Sequence, residues 1–281
     1  MTTIGRPMVL MPIVAKCPDG KWGGFNFGSG TMGAGGTPAA GGMSHGGGMS
    51  HSGAPTSPTK RQSPLAGISV FLGQGDDGTA MTYMQKGQKV KAGYYISKSA
   101  STNLMTEVIN YRNAEQEIFV SLDYEYIPNM PTRPKEYLDV GMGAINVEPC
   151  GSQNLKPPLD KAMKYVSQAW DVQGDGFLLD IKPHLHDGGL DMTFFVNGVQ
   201  KCTSKAVYGV SGAADLNGQK WETIGAYTPC LEPIEIKKGD KLTMEANYDL
   251  TKHRLRPQST DHNEGAEAMA MAIFSFARPP Y

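Results

Sequence analysis

From residue 65 onward, apolar residues fall at alternate positions in short runs bounded by turn residues. "GISVFLG" (67–73), "QKVKAGYYIS" (88–97), "NLMTEVINY" (103–111) and "EQEIFVSLDYEYI" (115–127) come first. "GFLLDIKPHLH" (176–186), "DMTFFVNGVQKCTS" (191–204), "WETIGAY" (221–227), "IEIKKGDKLTMEANYDL" (234–250) and "EAMAMAIFSFA" (267–277) continue the pattern. Period-two alternation with branched and aromatic enrichment predicts strands. "KKGDK" (237–241) predicts a tight turn between two of them. "PPLDKAMKYVSQAW" (157–170) is the one candidate for a helical turn, with an irregular stretch as the alternative. Strands and helices do not alternate, so the expected architecture is all-β, an antiparallel β-sandwich or jelly roll. The number of strands predicts two packed sandwich units, over 65–155 and 156–281.

Residues 28–64 break the pattern. This stretch of Gly, Ser and Pro holds too little apolar surface to offset chain entropy, which predicts a disordered segment between residues 1–27 and the first unit. The totals of 35 Gly and 19 Pro suit a turn-rich β protein with such a tail. A net charge of -1 with no basic stripe argues against nucleic acid as a partner. The apolar runs fall well short of the roughly 20 residues of a membrane span, so none is expected. The cysteines, Cys17, Cys150, Cys202 and Cys230, show no CxxC spacing. That argues against a cysteine zinc site and allows two disulfides in any of three pairings. The opening "MTTIGRPMVLMPIVAKC" has two prolines in its apolar run and a thin basic region, a poor signal peptide.

The candidate chemistry lies in "IKPHLHDGGLDMTFFVNG" (181–198). In an extended strand His184 and His186 project from one face, roughly 7 Å apart, while Leu185 points to the other. Two neutral imidazoles so placed can close on one metal ion. Asp187 is a candidate to orient them from the second layer, or a plain turn residue with Gly188 and Gly189. The Asp-Gly-Gly step predicts a hairpin. In the last predicted strand Met269 and Met271 share a face, and either offers a soft thioether. Two imidazoles with a thioether favour copper over zinc. His253 and His262 are further possible donors. Met43, His45, Met49 and His51 recur with period six in "GGMSHGGGMSHS", an auxiliary tract that suits copper in either oxidation state. No glycine-rich phosphate loop leads into a helix, and "GVSGAAD" lacks the spacing of a nucleophile elbow. Trp170 and Trp221 offer flat surfaces for carbohydrate or another small ligand.

"DGFLLDIKPHLHDGGLDMTFFVNG" (175–198), "VQKCTSKAVYG" (199–209), "GDKLTMEANYD" (239–249) and the methionine-bearing last strand resemble the stress up-regulated nodulin-type domain of plants and fungi. "AGYYISKSASTNLMTEVINYRNAEQEIFVSLDYEYIP" (92–128) also fits it, so the resemblance covers most of 65–281. That domain is similar to the C-terminal half of the copper type II, ascorbate-dependent monooxygenases, the peptidylglycine and dopamine hydroxylases. The resemblance implies copper as cofactor, with His184 and His186 as imidazole ligands. It gives Met269 the thioether role, because Met269 opens the last strand after Glu267, and leaves Met271 as a rival. It also implies an external reductant and tilts the compartment toward the secretory lumen or exterior, whereas the weak leader favours the cytoplasm. One departure stands out. The hydroxylases hold a second copper on three histidines in their N-terminal half, and residues 65–183 contain no histidine. The expectation is therefore a single mononuclear His/His/Met copper site with a redox or monooxygenase-like role. A structural, self-assembling homo-oligomer and a carbohydrate-binding module are the alternatives.

Overall fold

Each strand with one apolar face needs a second such face to cover it, and two sheets meet that need here. A computed structural model of the protein describes residues 13–17, 22–23, 80–84, 87, 89–96, 114–128, 134–150, 154–216, 219–256 and 268–279. The strands are β1 (Ile13–Lys16), β2 (Trp22–Gly23), β3 (Ala92–Gly93), β4 (Leu138–Asn146), β5 (Ala162–Val166), β6 (Trp170–Val172) and β7 (Gly176–Leu185). They continue as β8 (Gly189–Val196), β9 (Val199–Leu216), β10 (Gln219–Tyr227), β11 (Ile234–Ile236), β12 (Lys241–Asp249) and β13 (Ala270–Arg278). One sheet has the order β10-β9-β8-β12-β6-β1-β2, with β5 also paired to β12. The other has the order β11-β7-β13-β4-β3. Pairing is antiparallel except between β3 and β4. Trp170, Phe194, Met244 and Tyr248 of the first sheet pack on Ile145, Leu178, Leu185 and Phe274 of the second. This is an all-β fold of two packed sheets, with no helix among the described residues.

The structure corrects three local expectations. Residues 157–170 hold no helical turn: β5 and β6 occupy this stretch. β6 pairs only Lys241 and Leu242 of β12, so the edge of β12 from Glu245 to Asp249 is left for β5 to fill. Backbone groups that need partners there override a weak local preference. Residues 115–127 alternate like a strand yet form none, and they are exposed along their length. Alternation sets which face is apolar and supplies no neighbouring strand. The third correction is the hairpin. β7 belongs to the five-stranded sheet and β8 to the eight-stranded one, so Asp187, Gly188 and Gly189 carry the chain across the sandwich.

β1, β3 and β4, on the N-terminal side of residue 155, lie in the same two sheets that residues 156–279 complete. Residues 28–64, 67–73 and 103–111 lie outside the described residues. Two disulfides staple the sheets. Cys17, at the end of β1, joins Cys150 beyond β4, and Cys202 of β9 joins Cys230, which bridges Ile181 of β7. On the outer face of the five-stranded sheet, Val90 and Ala92 pack on Val140, Leu179 and Ala277. The Thr82 N–H donates to Asp180 Oδ2 at 2.9 Å, and Lys182 Nζ donates to the Ala80 carbonyl.

Candidate functional site

The site is built where β7 ends. From Ile181 the strand alternates cleanly, with Ile181, Pro183 and Leu185 buried and Lys182, His184 and His186 half-buried. Leu185 belongs to the core between the sheets, so both imidazoles stand on the outer face. Pro183 lies beyond the last pairing of β7 with β11 and its Cys230 bridge, where a missing N–H is tolerated.

β13 supplies the facing row. Met271 is the direct cross-strand partner of His184, and Ala270 that of Leu185. One step further, the His186 N–H approaches the Met269 carbonyl at 3.4 Å. Directly opposed residues of an antiparallel pair project to the same side. Two histidines and two methionines therefore share one outer patch. Met271 is buried there with Ala144 and Ile273, and Met81, Met142 and Met269 pack around them. The imidazole ring centres of His184 and His186 lie 5.4 Å apart, with their planes at 89°.

Three tyrosines from the opposite sheet hold the backbone of this corner. Tyr227 Oη accepts the Leu185 N–H at 2.9 Å and donates to the Leu185 carbonyl at 3.1 Å. Tyr248 Oη accepts the His186 N–H at 3.1 Å and donates to the Met269 carbonyl at 2.6 Å. Tyr208 Oη accepts the Gly188 N–H and donates to the Gly189 carbonyl, each at 2.8 Å. Each hydroxyl thus satisfies one donor and one acceptor where the chain leaves the ladder. Burial pushes the Tyr248 hydroxyl well above its ordinary range, with Tyr227 adding to the effect. Burial does the same to Tyr208, aided by the nearby Asp187 charge and offset by the Gly188 bond. Both stay neutral hydrogen-bonding groups across the physiological range.

Asp187 points into this scaffold. Its Oδ1 accepts the Ile224 N–H at 3.1 Å, and its Oδ2 accepts Trp221 Nε1 at 3.2 Å and Arg256 Nε at 3.1 Å. Gly188 has φ +98°, and a Cβ there would collide with Leu250 and press on the His253 carbonyl, so the crossover needs glycine. His253 stacks flat on Tyr208, ring centres 3.6 Å apart. His262 and the tract of Met43, His45, Met49 and His51 lie outside the described residues, as does Glu267. Among the described residues no group of three His, Cys, Asp or Glu side chains gathers to hold a metal ion. Trp170 is fully buried, which removes it as a stacking surface.

Sequence reading missed the tyrosine scaffold and the packing of Met81 and Met142 around Met271. The tyrosines carried a usable signal, since Tyr248 shares the inward parity of Leu242, Met244 and Ala246 in its strand.

No family model matches this chain. It is similar to a probable copper-dependent oxygenase of Phoma sp., with 22% identity over 186 residues, covering 65% of this chain and 45% of that protein. It is also similar to a probable copper-dependent oxygenase of Cochliobolus lunatus, with 22% identity over 185 residues, 66% of this chain and 57% of the relative. The chain spans about half the length of these relatives.

Proposed function

We propose that this protein binds one copper ion through His184, His186 and Met269, and that the site serves oxygenase-like redox chemistry. The observation that carries the reading is the pairing of the HLH end of β7 with the methionine-bearing start of β13 on one outer face. The donor set fits the ion. An imidazole nitrogen sits about 2.0 Å from a bound metal, so two ring centres sharing one are roughly 5 Å apart, and the observed 5.4 Å agrees with that. A thioether beside them selects the cuprous state, while imidazole accepts both. Distant likeness to two probable copper-dependent oxygenases supports the same chemistry.

Bound copper would supply one-electron cycling between its cuprous and cupric states. The chain's own part is to hold the two imidazoles in place. Tyr227 and Tyr248 fix the backbone of Leu185 and His186, and Asp187 secures the crossover through Trp221, Ile224 and Arg256. Asp187 then acts on the histidines through the backbone. A single ion delivers one electron, so an external reductant completes any two-electron reaction. Met271, His253 and His262 stand as further donors, and the tract of Met43, His45, Met49 and His51 as an auxiliary copper-capturing arm. The paired disulfides suit an oxidising compartment.

Elemental analysis of protein purified without added metal, followed by copper titration, tests the reading. The wild type takes up about one equivalent of copper, and the folded variant with His184→Ala and His186→Ala takes up none. Equal metal content in the two proteins overturns it.

A second reading, a self-assembling protein, draws on the exposed Ile118, Phe119, Val120, Leu122, Tyr124 and Tyr126. Sedimentation at rising concentration decides it, and a persistent monomer removes it.

A further inference from the structure

We propose that Asn146 is a further member of this copper site, contributed by a third strand; the inference rests on the copper reading above. Asn146 is the last residue of β4 and the direct cross-strand partner of Met271. Met271 in turn faces His184, so Asn146, Met271 and His184 form one row across three strands. Their side chains therefore share the outer face. Asn146 is only 3% exposed, and its Oδ1 has no hydrogen-bond partner among the described residues.

Looseness does not explain that unpaired oxygen. The Asn146 carbonyl accepts Trp170 Nε1 at 3.2 Å, and Trp170 is fully buried in the opposite sheet. The backbone is thus pinned from both sides, by the β13 ladder and by the indole. A buried amide oxygen without a partner is unfavourable, and an apolar residue of the same size would suit the methionine cluster better. The row it occupies supplies the reason for its presence. With copper bound, the Asn146 oxygen would accept a hydrogen bond from a water molecule in the site. It is a positioning residue: it orients the solvent and leaves the metal to the histidines and the thioether. Hydrogen bonding through one ordered water is a common way to satisfy such a group.

Asn146→Leu and Asn146→Asp, compared with the full-length wild-type chain, test this. Three quantities are read: melting temperature without metal, copper stoichiometry, and the cupric electron paramagnetic resonance spectrum with its exchangeable-deuteron coupling in heavy water. Asn146→Leu is expected to melt no lower than wild type, and as much as about 2–4 °C higher. It still binds one equivalent, but its hyperfine pattern is shifted and its deuteron coupling weakened. Asn146→Asp keeps an acceptor in place and retains the coupling. A wild-type spectrum and coupling in Asn146→Leu overturn the proposal and leave the copper reading intact. A lowered metal-free melting temperature with an unchanged spectrum gives Asn146 a purely structural role and overturns it too. If Asn146→Leu does not fold, Asn146→Ala is read the same way. Absence of copper from the wild type removes the copper reading itself, and this inference with it.

Discussion

Tyr248 and His186 lie on different sheets, yet the Tyr248 hydroxyl accepts the His186 N–H at 3.1 Å. The same oxygen donates to the Met269 carbonyl at 2.6 Å. One fully buried phenol thus ties the histidine strand to the methionine strand from inside the core. The positions of His186 and Met269 on the outer face are set by a group on the inner one. The link between packing and site is direct here, and it can be cut with one oxygen atom.

Tyr248→Phe removes that oxygen and little else. It leaves a buried N–H and a buried carbonyl poorly satisfied, at a cost of about 1–3 kcal/mol. Chemical denaturation should give a lower midpoint with an unchanged slope. Copper affinity should fall as well, since the two ligand strands lose their common clamp. Stability loss with undiminished copper affinity disconnects the clamp from the site.

Buried tyrosines, Tyr83 beside the five-stranded sheet among them, also set an alkaline limit. Burial raises the hydroxyls of Tyr83, Tyr208 and Tyr248 in the folded protein. In the unfolded chain they ionise near pH 10. Below that both states hold the proton and stability is fully present. Above it the unfolded state loses protons that the folded state keeps, so stability falls as pH rises. Denaturation midpoints should be flat in pH through the neutral range, apart from histidine and carboxylate effects, and drop above about pH 10. Tyr248→Phe should make that drop shallower.

Met269 and Met271 separate under substitution. Leucine conserves volume, so either change costs less than about 1.5 kcal/mol of stability. Met269→Leu should weaken cuprous binding by at least about tenfold, with Met271→Leu close to wild type. Competition against a cuprous chelator reads this. The reverse order assigns the thioether to Met271, the partner of His184.

Reducing the disulfides should cost stability in proportion to the loops they close. Cys17 and Cys150 are 133 residues apart, and Cys202 and Cys230 are 28 apart. Chain entropy alone gives about 5 and about 3.5 kcal/mol, respectively, from the loop-closure relation. Cys202→Ser with Cys230→Ser should lower the melting temperature less than Cys17→Ser with Cys150→Ser. The opposite ranking means that the shorter bridge, which anchors the strand carrying the histidines, matters more than its loop length.

The fold class was legible because period-two alternation is a local property. "GFLLDIKPHLH", "DMTFFVNG", "WETIGAY", "KLTMEANYD" and the last strand all appear as strands where the pattern puts them. The shared face of His184 and His186 follows from the same periodicity, with Leu185 in the core. The helical turn at 157–170 failed because residues 162–166 answer to the open edge of β12, which lies far along the chain. The strand expected at 115–127 failed for the complementary reason: an alternating segment becomes a strand only beside another.

By itself, then, the sequence determined that the chain is built of strands and that two imidazoles stand side by side. Side-chain parity follows from backbone geometry and needs no partner. Only the tertiary structure decided which strands are neighbours. It turned an apparent Asp-Gly-Gly hairpin into a crossover between sheets, set Met271 opposite His184, and brought Tyr208, Tyr227 and Tyr248 to the corner. Register and sheet membership come from burying all the apolar faces at once, a sum over the whole chain that no local stretch contains.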